Sequence, residues 1–183
     1  YNMACSGLAS MPEGIPQETA IAVAQAGKAH GVAIAAVSGT YNMIHPDMRV
    51  REQGHIRLDV IASRCRAMGT RLITLCTGTR DAKDQWRHHP DNDTKEAWRD
   101  LIQSMTVALE IAERHDVELG IEPELANVVS SAAKARLLID ELRSDRIRIV
   151  LDAANLFETA SIDDQRRIVS GAIDRLAGHM AMA

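Results

Sequence analysis

The sequence predicts an α/β protein with a parallel sheet, and within that class a (β/α)8 TIM barrel. Short apolar segments alternate with segments of helical periodicity along the chain, which is typical of strand–helix–strand units. Two successive apolar segments each end in a carboxylate, as strands of a buried parallel sheet do when they carry a site at their carboxyl ends. No G-x-G-x-x-G or G-x-x-x-x-G-K loop follows a predicted strand, which disfavours the competing doubly wound nucleotide-binding fold.

Length and composition fit one ordinary domain, residues 1–183, and exclude several classes of partner. The net charge of −4 gives no general attraction to nucleic acid or to anionic membranes, and no apolar segment approaches the ~18 residues of a membrane span. We therefore expect neither a nucleic-acid nor a membrane partner. The cysteines, 3 in number, form no C-x-x-C pair, which indicates reduced thiols and a cytoplasmic protein.

The first third of the chain predicts one helix and one strand. Residues 1–7 have the character of a strand tail that runs into a loop. An alanine-rich helix is expected between Pro16 and Gly31, since proline suits a helix start and glycine a helix end. A strand is predicted over Val32–Val37, and the loop Ser38–Asp47 follows it.

The middle of the chain predicts the next helix, strand and loop. Apolar residues recur at helical spacing from His55 to Met68, and Gly69 is expected to end that helix. Arg71–Cys76 is the next predicted strand. The loop after it, Thr77–Asp93, is long for a βα connection and is rich in hydrogen-bond donors.

The last third predicts three more helices and the strands between them. Asp93 and Glu96 have the spacing of a capping box that opens a long helix. Ser130 or Ser131 is expected to cap a helix that reaches about Leu142, and Ser161 a helix that Gly178 closes. Residues 179–183 are expected to start another strand.

The strand-end acids are the candidate functional residues. The segment 118–121 ends in Glu122-Pro123-Glu124, and the segment 147–151 ends in Asp152. Adjacent parallel strands bring their carboxyl ends to one rim, so Glu122 and Asp152 are expected side by side, where they suit a hard divalent cation. The alternative is that each acid caps the helix after it or pairs with an arginine.

Three segments together resemble the sugar phosphate isomerase/epimerase family with a xylose isomerase-like (β/α)8 barrel. The matching segments are Ser38-Gly39-Thr40-Tyr41-Asn42-Met43-Ile44-His45-Pro46-Asp47, Gly120-Ile121-Glu122-Pro123-Glu124 and Leu151-Asp152-Ala153-Ala154-Asn155-Leu156-Phe157. The loop from Trp86 to Asn92, followed by Ala97-Trp98, also fits. The resemblance covers nearly the whole chain.

The resemblance implies one divalent cation, of the Mn, Mg or Co type, held by four strand-end ligands in the order Glu, Asp, His, Glu. Glu122 and Asp152 then correspond to the first two ligands, on the fifth and sixth barrel strands. The implied activity is that of an isomerase or epimerase acting on a sugar, sugar phosphate or polyol through an enediolate, whose charge needs a cation. Glu122 is the candidate for both metal ligand and acid/base. Asn155 stands where related ketose epimerases have histidine.

The remaining candidates are expected to contact the carbohydrate substrate. His45 lies in a loop at the expected rim, with a structural role as the alternative. Glu124 either binds a hydroxyl group or orients a neighbour. The others are Arg80, Trp86, His88 and Asn155, of which the basic residues suit a phosphate or an acidic sugar and Trp86 the face of a sugar ring.

Two other functions remain open at this stage. One is a metal-dependent nuclease for abasic DNA, which shares this barrel type but needs many rim histidines and a basic surface. The other is a non-catalytic sugar-binding barrel.

The barrel is expected to be incomplete, because a (β/α)8 barrel usually needs ~250 residues. By the resemblance, the chain runs from about the second strand to the start of the seventh, so these residues alone should bind metal weakly and lack isomerase activity. Unpaired strand edges would leave homo-oligomerisation open.

Overall fold

The computed structural model describes all residues 1–183 and shows five parallel strands in the order of the sequence, alternating with five helices. The strands are β1 (Val37–Ser38), β2 (Leu72–Leu75), β3 (Glu118–Ile121), β4 (Ile147–Val150) and β5 (Met180–Met182). The helices are α1 (Gln17–Ala29), α2 (Met48–Cys65), α3 (Lys95–His115), α4 (Ala132–Leu142) and α5 (Ile162–Leu176). The alternation and the parallel sheet confirm the predicted fold class, as a partial barrel.

The strand register aligns the carboxyl ends of β2, β3 and β4 at one rim. Leu75 pairs with Ile121, and Ile121 pairs with Ile149. Glu122 therefore follows the last paired residue of β3 directly, while Asp152 lies slightly further beyond β4. The two acids leave neighbouring strands at nearly the same level, as the sequence predicted.

The core lies between the sheet and the helices. It is one cluster of 35 buried apolar residues. The strands contribute Val37, Ile73, Leu75, Leu119, Ile121, Ile147 and Ile149 to it. Helix α3 packs its apolar stripe there through Leu101, Met105, Ala108 and Ala112, all fully buried. None of the helices is both long and apolar enough to pass through a lipid bilayer.

The first strand is shorter than the predicted Val32–Val37. Val32 donates its N–H to Gly27 O at 2.8 Å and so still belongs to the end of α1, and its side chain is 60% exposed. Tyr1 lies alongside β1, because its amino group donates to Ala36 O and its carbonyl accepts from Ser38 N. This agrees with a strand tail at residue 1, although the next residues, Met3–Ser6, form a 3-10 turn.

Helix boundaries differ from the prediction at three places. Helix α2 starts at Met48, well before His55, because Asp47 caps it by accepting from Arg49 N at 3.0 Å. The cap of α3 is Thr94, whose hydroxyl accepts from Ala97 N, and Asp93 instead pairs with Lys134. Helix α5 ends in a 3-10 turn, Ala177–His179, that contains Gly178.

The predicted serine caps are found. Ser131 caps α4 and Ser161 caps α5, each accepting from a backbone N–H of the first helical turn.

Gly54 allows α2 to pack against Tyr41, and substitution tests this contact. A Cβ at Gly54 would lie 2.1 Å from Tyr41 Cδ2, whereas a Cβ at Gly171 in α5 would meet no atom within 4 Å. We expect Gly54→Ala to lower the free energy of unfolding by about 1–3 kcal/mol through overpacking. Gly171→Ala is the matched control and should raise it by about 0.4–1 kcal/mol. Denaturant unfolding measures both, and equal effects would contradict the close packing at Gly54.

Candidate active site

Glu122 is half-buried at the carboxyl end of β3 and is held by one backbone and one side-chain contact. Its N–H donates to Leu75 O at 3.1 Å, which extends the β2–β3 pairing by one step. Its Oε1 accepts a hydrogen bond from Asn155 Nδ2 at 2.7 Å. No protein donor contacts Oε2, so one oxygen of the carboxylate is restrained and the other is free.

In Asp152, as in Glu122, one carboxylate oxygen accepts a hydrogen bond from the protein and the other does not. Its Oδ1 accepts from Ala154 N at 2.9 Å and caps a 3-10 turn, Ala153–Leu156. This is the capping role that was the alternative to metal binding, but it uses only one oxygen. Oδ2 has no protein donor and the side chain is exposed.

Like charges gather at this rim and raise the pKa of the groups there. Burial raises the pKa of Glu122, the amide of Asn155 opposes that shift, and the charge of Asp152 adds to it. Burial and the charge of Glu122 raise the pKa of Glu124. The pKa of the Cys76 thiol is raised to about 12 by burial and by the same two glutamates. The rim therefore has an excess of negative charge that a cation would relieve.

Glu124 orients a neighbour, one of the two roles considered for it. Its Oε2 accepts from Asn127 Nδ2 at 3.0 Å, and Asn127 Oδ1 accepts from Gly78 N at 2.5 Å. Its Oε1 has no protein donor and is available to a ligand. The residue connects the rim to the loop after β2.

Four of the predicted site residues share one cleft of about 880 Å³, which we call the Trp86 cleft. They are Trp86, His88, Glu124 and Asn155. Phe157 and Ile168 add an apolar wall. Glu122 is joined to this cleft by its hydrogen bond to Asn155, and Asp152 precedes the same turn.

Arg80 does not lie in the Trp86 cleft. Its side chain is 13% exposed and turns towards α3, where its guanidinium lies 2.7 Å from Asp100 and donates to Ile44 O at 3.0 Å. Its donors are therefore used within the fold, which does not fit the predicted contact with substrate.

His45 also lies apart, on a second cleft of about 770 Å³. Its Nδ1 accepts from Asp47 N at 3.0 Å, which leaves Nε2 to donate to Ala82 O at 3.2 Å. The first contact lies within the loop after β1, and the second joins that loop to the loop after β2. These contacts fit the structural alternative considered for this residue.

Three buried asparagines that the sequence analysis did not single out hold the rim loops together. Asn42 Nδ2 donates to Thr79 O at 2.8 Å, and Asn92 Nδ2 donates to Ala126 O at 2.9 Å. With Asn127 they tie together the loops after β1, β2 and β3. The sequence offers one weak signal for these residues, which is an uncharged amide side chain in a loop that follows a strand.

The rim fits part of a metal site. Carboxylate oxygens are ligands that hard divalent cations prefer, and Glu122 and Asp152 each offer one free oxygen. No group of three or more His, Cys, Asp or Glu side chains in the chain could hold a metal ion. Glu122 and Asp152 would therefore supply two ligands to a cation, and a complete coordination shell would need further oxygen or nitrogen donors.

The parallel strand–helix repeat defines a TIM-barrel type of protein, and the acidic rim lies at the strand carboxyl ends, where such barrels carry their sites. Residues 5–181 match the family described as Xylose isomerase-like TIM barrel. The chain belongs to that family, and the resemblance noted in its sequence is confirmed. No curated protein matches the chain by sequence.

Solved structures with the same fold include sugar epimerases. The apo 3-keto-D-glucoside 4-epimerase from E. coli aligns with a TM-score of 0.69 and 15% identity, over 91% of this chain and 65% of its own. D-Psicose 3-epimerase with D-tagatose, from Clostridium cellulolyticum H10, aligns with a TM-score of 0.70 and 16% identity, over 91% of this chain and 56% of its own. At these identities the likeness shows the fold alone.

A third structure carries a metal ion. It is a xylose isomerase-like TIM barrel protein from Mycobacterium smegmatis in complex with magnesium, with a TM-score of 0.62 and 12% identity. The alignment covers 85% of this chain and 51% of that protein. The chain thus spans about half to two-thirds of the length of the structures that it matches.

Proposed function

We propose that this chain provides the acid/base residue and two metal ligands of a divalent-metal-dependent isomerase or epimerase that acts on a carbohydrate. The observation that carries the proposal is the pair Glu122 and Asp152, on neighbouring strand ends, each with one restrained and one free oxygen. Membership of a barrel family whose solved relatives include sugar epimerases supports the same function.

Glu122 is suited to move a proton at the carbon next to a carbonyl group. Burial raises the pKa of Glu122, and a bound cation would oppose that shift, so the protein and the metal together would set its affinity for a proton. A bound cation would supply stabilisation of the negative charge that develops on the substrate oxygens. The carboxylate accepts a hydrogen bond from the side-chain amide of Asn155 at 2.7 Å.

The Trp86 cleft suits a polyhydroxylated substrate. Trp86 is 52% exposed and, with Phe157, offers apolar faces for the C–H side of a sugar. The free Oε1 of Glu124 can accept from a hydroxyl group, and His88 can donate or accept. These groups recognise hydroxyls and do not require a phosphate.

Metal analysis and a substrate panel test the proposal. We expect one Mn, Mg or Co ion per active protein and turnover on ketoses, on polyols of the inosose type or on their phosphates. A zinc cluster with cleavage of abasic DNA would instead indicate a repair nuclease. If a protein that carries this chain within a complete barrel shows neither bound metal nor turnover, a non-catalytic sugar-binding barrel is indicated.

Substitution of Arg87 tests whether the substrate carries a phosphate. The Arg87 side chain lines the Trp86 cleft, is 63% exposed and pairs only loosely with Asp81 and Asp84, at 3.6 and 3.7 Å. If a phosphate binds there, Arg87→Ala should raise KM for the phosphorylated substrate roughly tenfold or more and leave KM for the free sugar nearly unchanged.

The matched control for Arg87→Ala is Arg80→Ala. Since Arg80 is committed to Asp100 and Ile44, its loss should lower the melting temperature and affect both substrates alike. Equal effects of Arg87→Ala on the two substrates would exclude a phosphate at this position.

A further inference from the structure

We propose that Asn155 is a positioning residue that fixes the orientation of the Glu122 carboxylate for cation binding. The inference rests on the proposed function, in which Glu122 is a metal ligand, and it assigns a role to an uncharged neighbour. Asn155 Nδ2 donates to Glu122 Oε1 at 2.7 Å, and no other protein donor reaches that carboxylate. The orientation of Glu122 at the rim thus depends on this one amide.

Asn155 can do this because its own backbone is held in place. Its N–H donates to Asp152 O at 3.2 Å within the 3-10 turn Ala153–Leu156. Asp152 Oδ1 caps that turn through Ala154 N, and Leu156, 8% exposed, anchors the end of the turn in the core. Asp152, the turn and Asn155 therefore form one rigid connection that ends on Glu122.

The hydrogen bond distinguishes the two oxygens of Glu122. The last torsion of a glutamate side chain has broad minima, so an unrestrained carboxylate turns easily and either oxygen can meet a ligand. With Oε1 held by the amide, Oε2 is the oxygen left for a cation, and monodentate ligation is favoured. The second lone pair of Oε1 then remains for proton transfer. Asn155 restrains the carboxylate without neutralising it, whereas a lysine or arginine at the same place would compete with the metal ion.

A role in positioning is compatible with the predicted contact between Asn155 and substrate. Asn155 lines the Trp86 cleft, and its Oδ1 accepts no hydrogen bond from the protein. The amide can therefore hold Glu122 through Nδ2 while Oδ1 accepts from a substrate hydroxyl. The two functions use different atoms and are separable by experiment.

The first test follows the side-chain amide of Asn155 by ¹H–¹⁵N NMR, with its signals assigned by their loss in Asn155→Leu. Glu122→Ala should shift these signals strongly, because their hydrogen-bond acceptor is removed. Glu124→Ala is the matched control, since Glu124 accepts from Asn127 in the same way, and it should shift the Asn127 amide instead. An Asn155 amide that does not respond to Glu122→Ala would overturn the inference.

The second test measures Mn²⁺ affinity by electron paramagnetic resonance in a protein that carries this chain within a complete barrel, as wild type and as two variants. Asn155→Leu removes the donor at similar volume and should weaken Mn²⁺ binding roughly tenfold, as loss of a residue that orients a ligand commonly does. Asn155→Gln keeps a carboxamide donor and should restore most of the affinity. Equal affinity of the wild type and Asn155→Leu would overturn the positioning role.

The two tests separate this inference from the proposed function. Failure of the wild-type protein with the complete barrel to bind Mn²⁺ would contradict the metal-dependent function. The amide signals would then still decide whether Asn155 orients Glu122. If Asn155→Leu proves unstable, Asn155→Ser, which also lacks the side-chain amide, assigns them instead.

Discussion

Replacing Glu122 with glutamine is expected to reduce turnover of an active protein that contains this chain by about a hundredfold or more. The change removes a ligand charge and the acid/base group at once, and general acid/base catalysis alone commonly contributes 10²–10⁴-fold. The fold should be retained, because the carboxamide oxygen of glutamine can still accept from Asn155 Nδ2. The measurement is kcat with saturating metal, together with a melting curve.

Glu124→Gln is the control for this substitution. Glu124 lies two residues away and also has a raised pKa, but its established contact is with Asn127. It should change KM more than kcat. If Glu122→Gln kept a tenth of the activity, or if both variants lost kcat equally, the role assigned to Glu122 would be wrong.

The second large effect is expected at Asp152. Asp152→Asn should weaken divalent-metal binding about tenfold or more, and raising the metal concentration should restore part of the activity. Asparagine caps helices about as well as aspartate, so the turn Ala153–Leu156 and the stability should be unchanged.

Asp152→Ala separates the two roles of this residue. It loses both the cap and the ligand, and should lower stability by about 1 kcal/mol in addition to weakening metal binding. If activity of Asp152→Asn did not respond to added metal, Asp152 would be a cap and not a ligand.

The sheet and the acidic rim could be predicted from the sequence because both depend on local patterns that the parallel fold enforces. A buried apolar strand that ends in an acid places that acid at the rim whatever the loops do, so Glu122 and Asp152 were expected as neighbours. Similarly, Ser131 and Ser161 cap helices through contacts within a few residues.

Positions that depend on the path of a long loop could not be predicted. Arg80 belongs to the donor-rich loop after β2, and the sequence does not show that the loop turns this arginine towards Asp100. Asn127 holds that loop through Gly78, distant in sequence but close in space. Thr94, next to Asp93, caps α3, and Asp93 pairs with Lys134 from another helix, a contact that the local sequence does not show.

The direct test of the central claim, that Glu122 and Asp152 bind one divalent cation together, is Mn²⁺ affinity in a double-mutant cycle. We expect Glu122→Gln and Asp152→Asn each to weaken binding about tenfold or more, and the double variant to lose less than the sum of the two free-energy changes, because the two ligands share one ion. Unchanged affinity in either single variant, or strictly additive losses, would contradict a shared site.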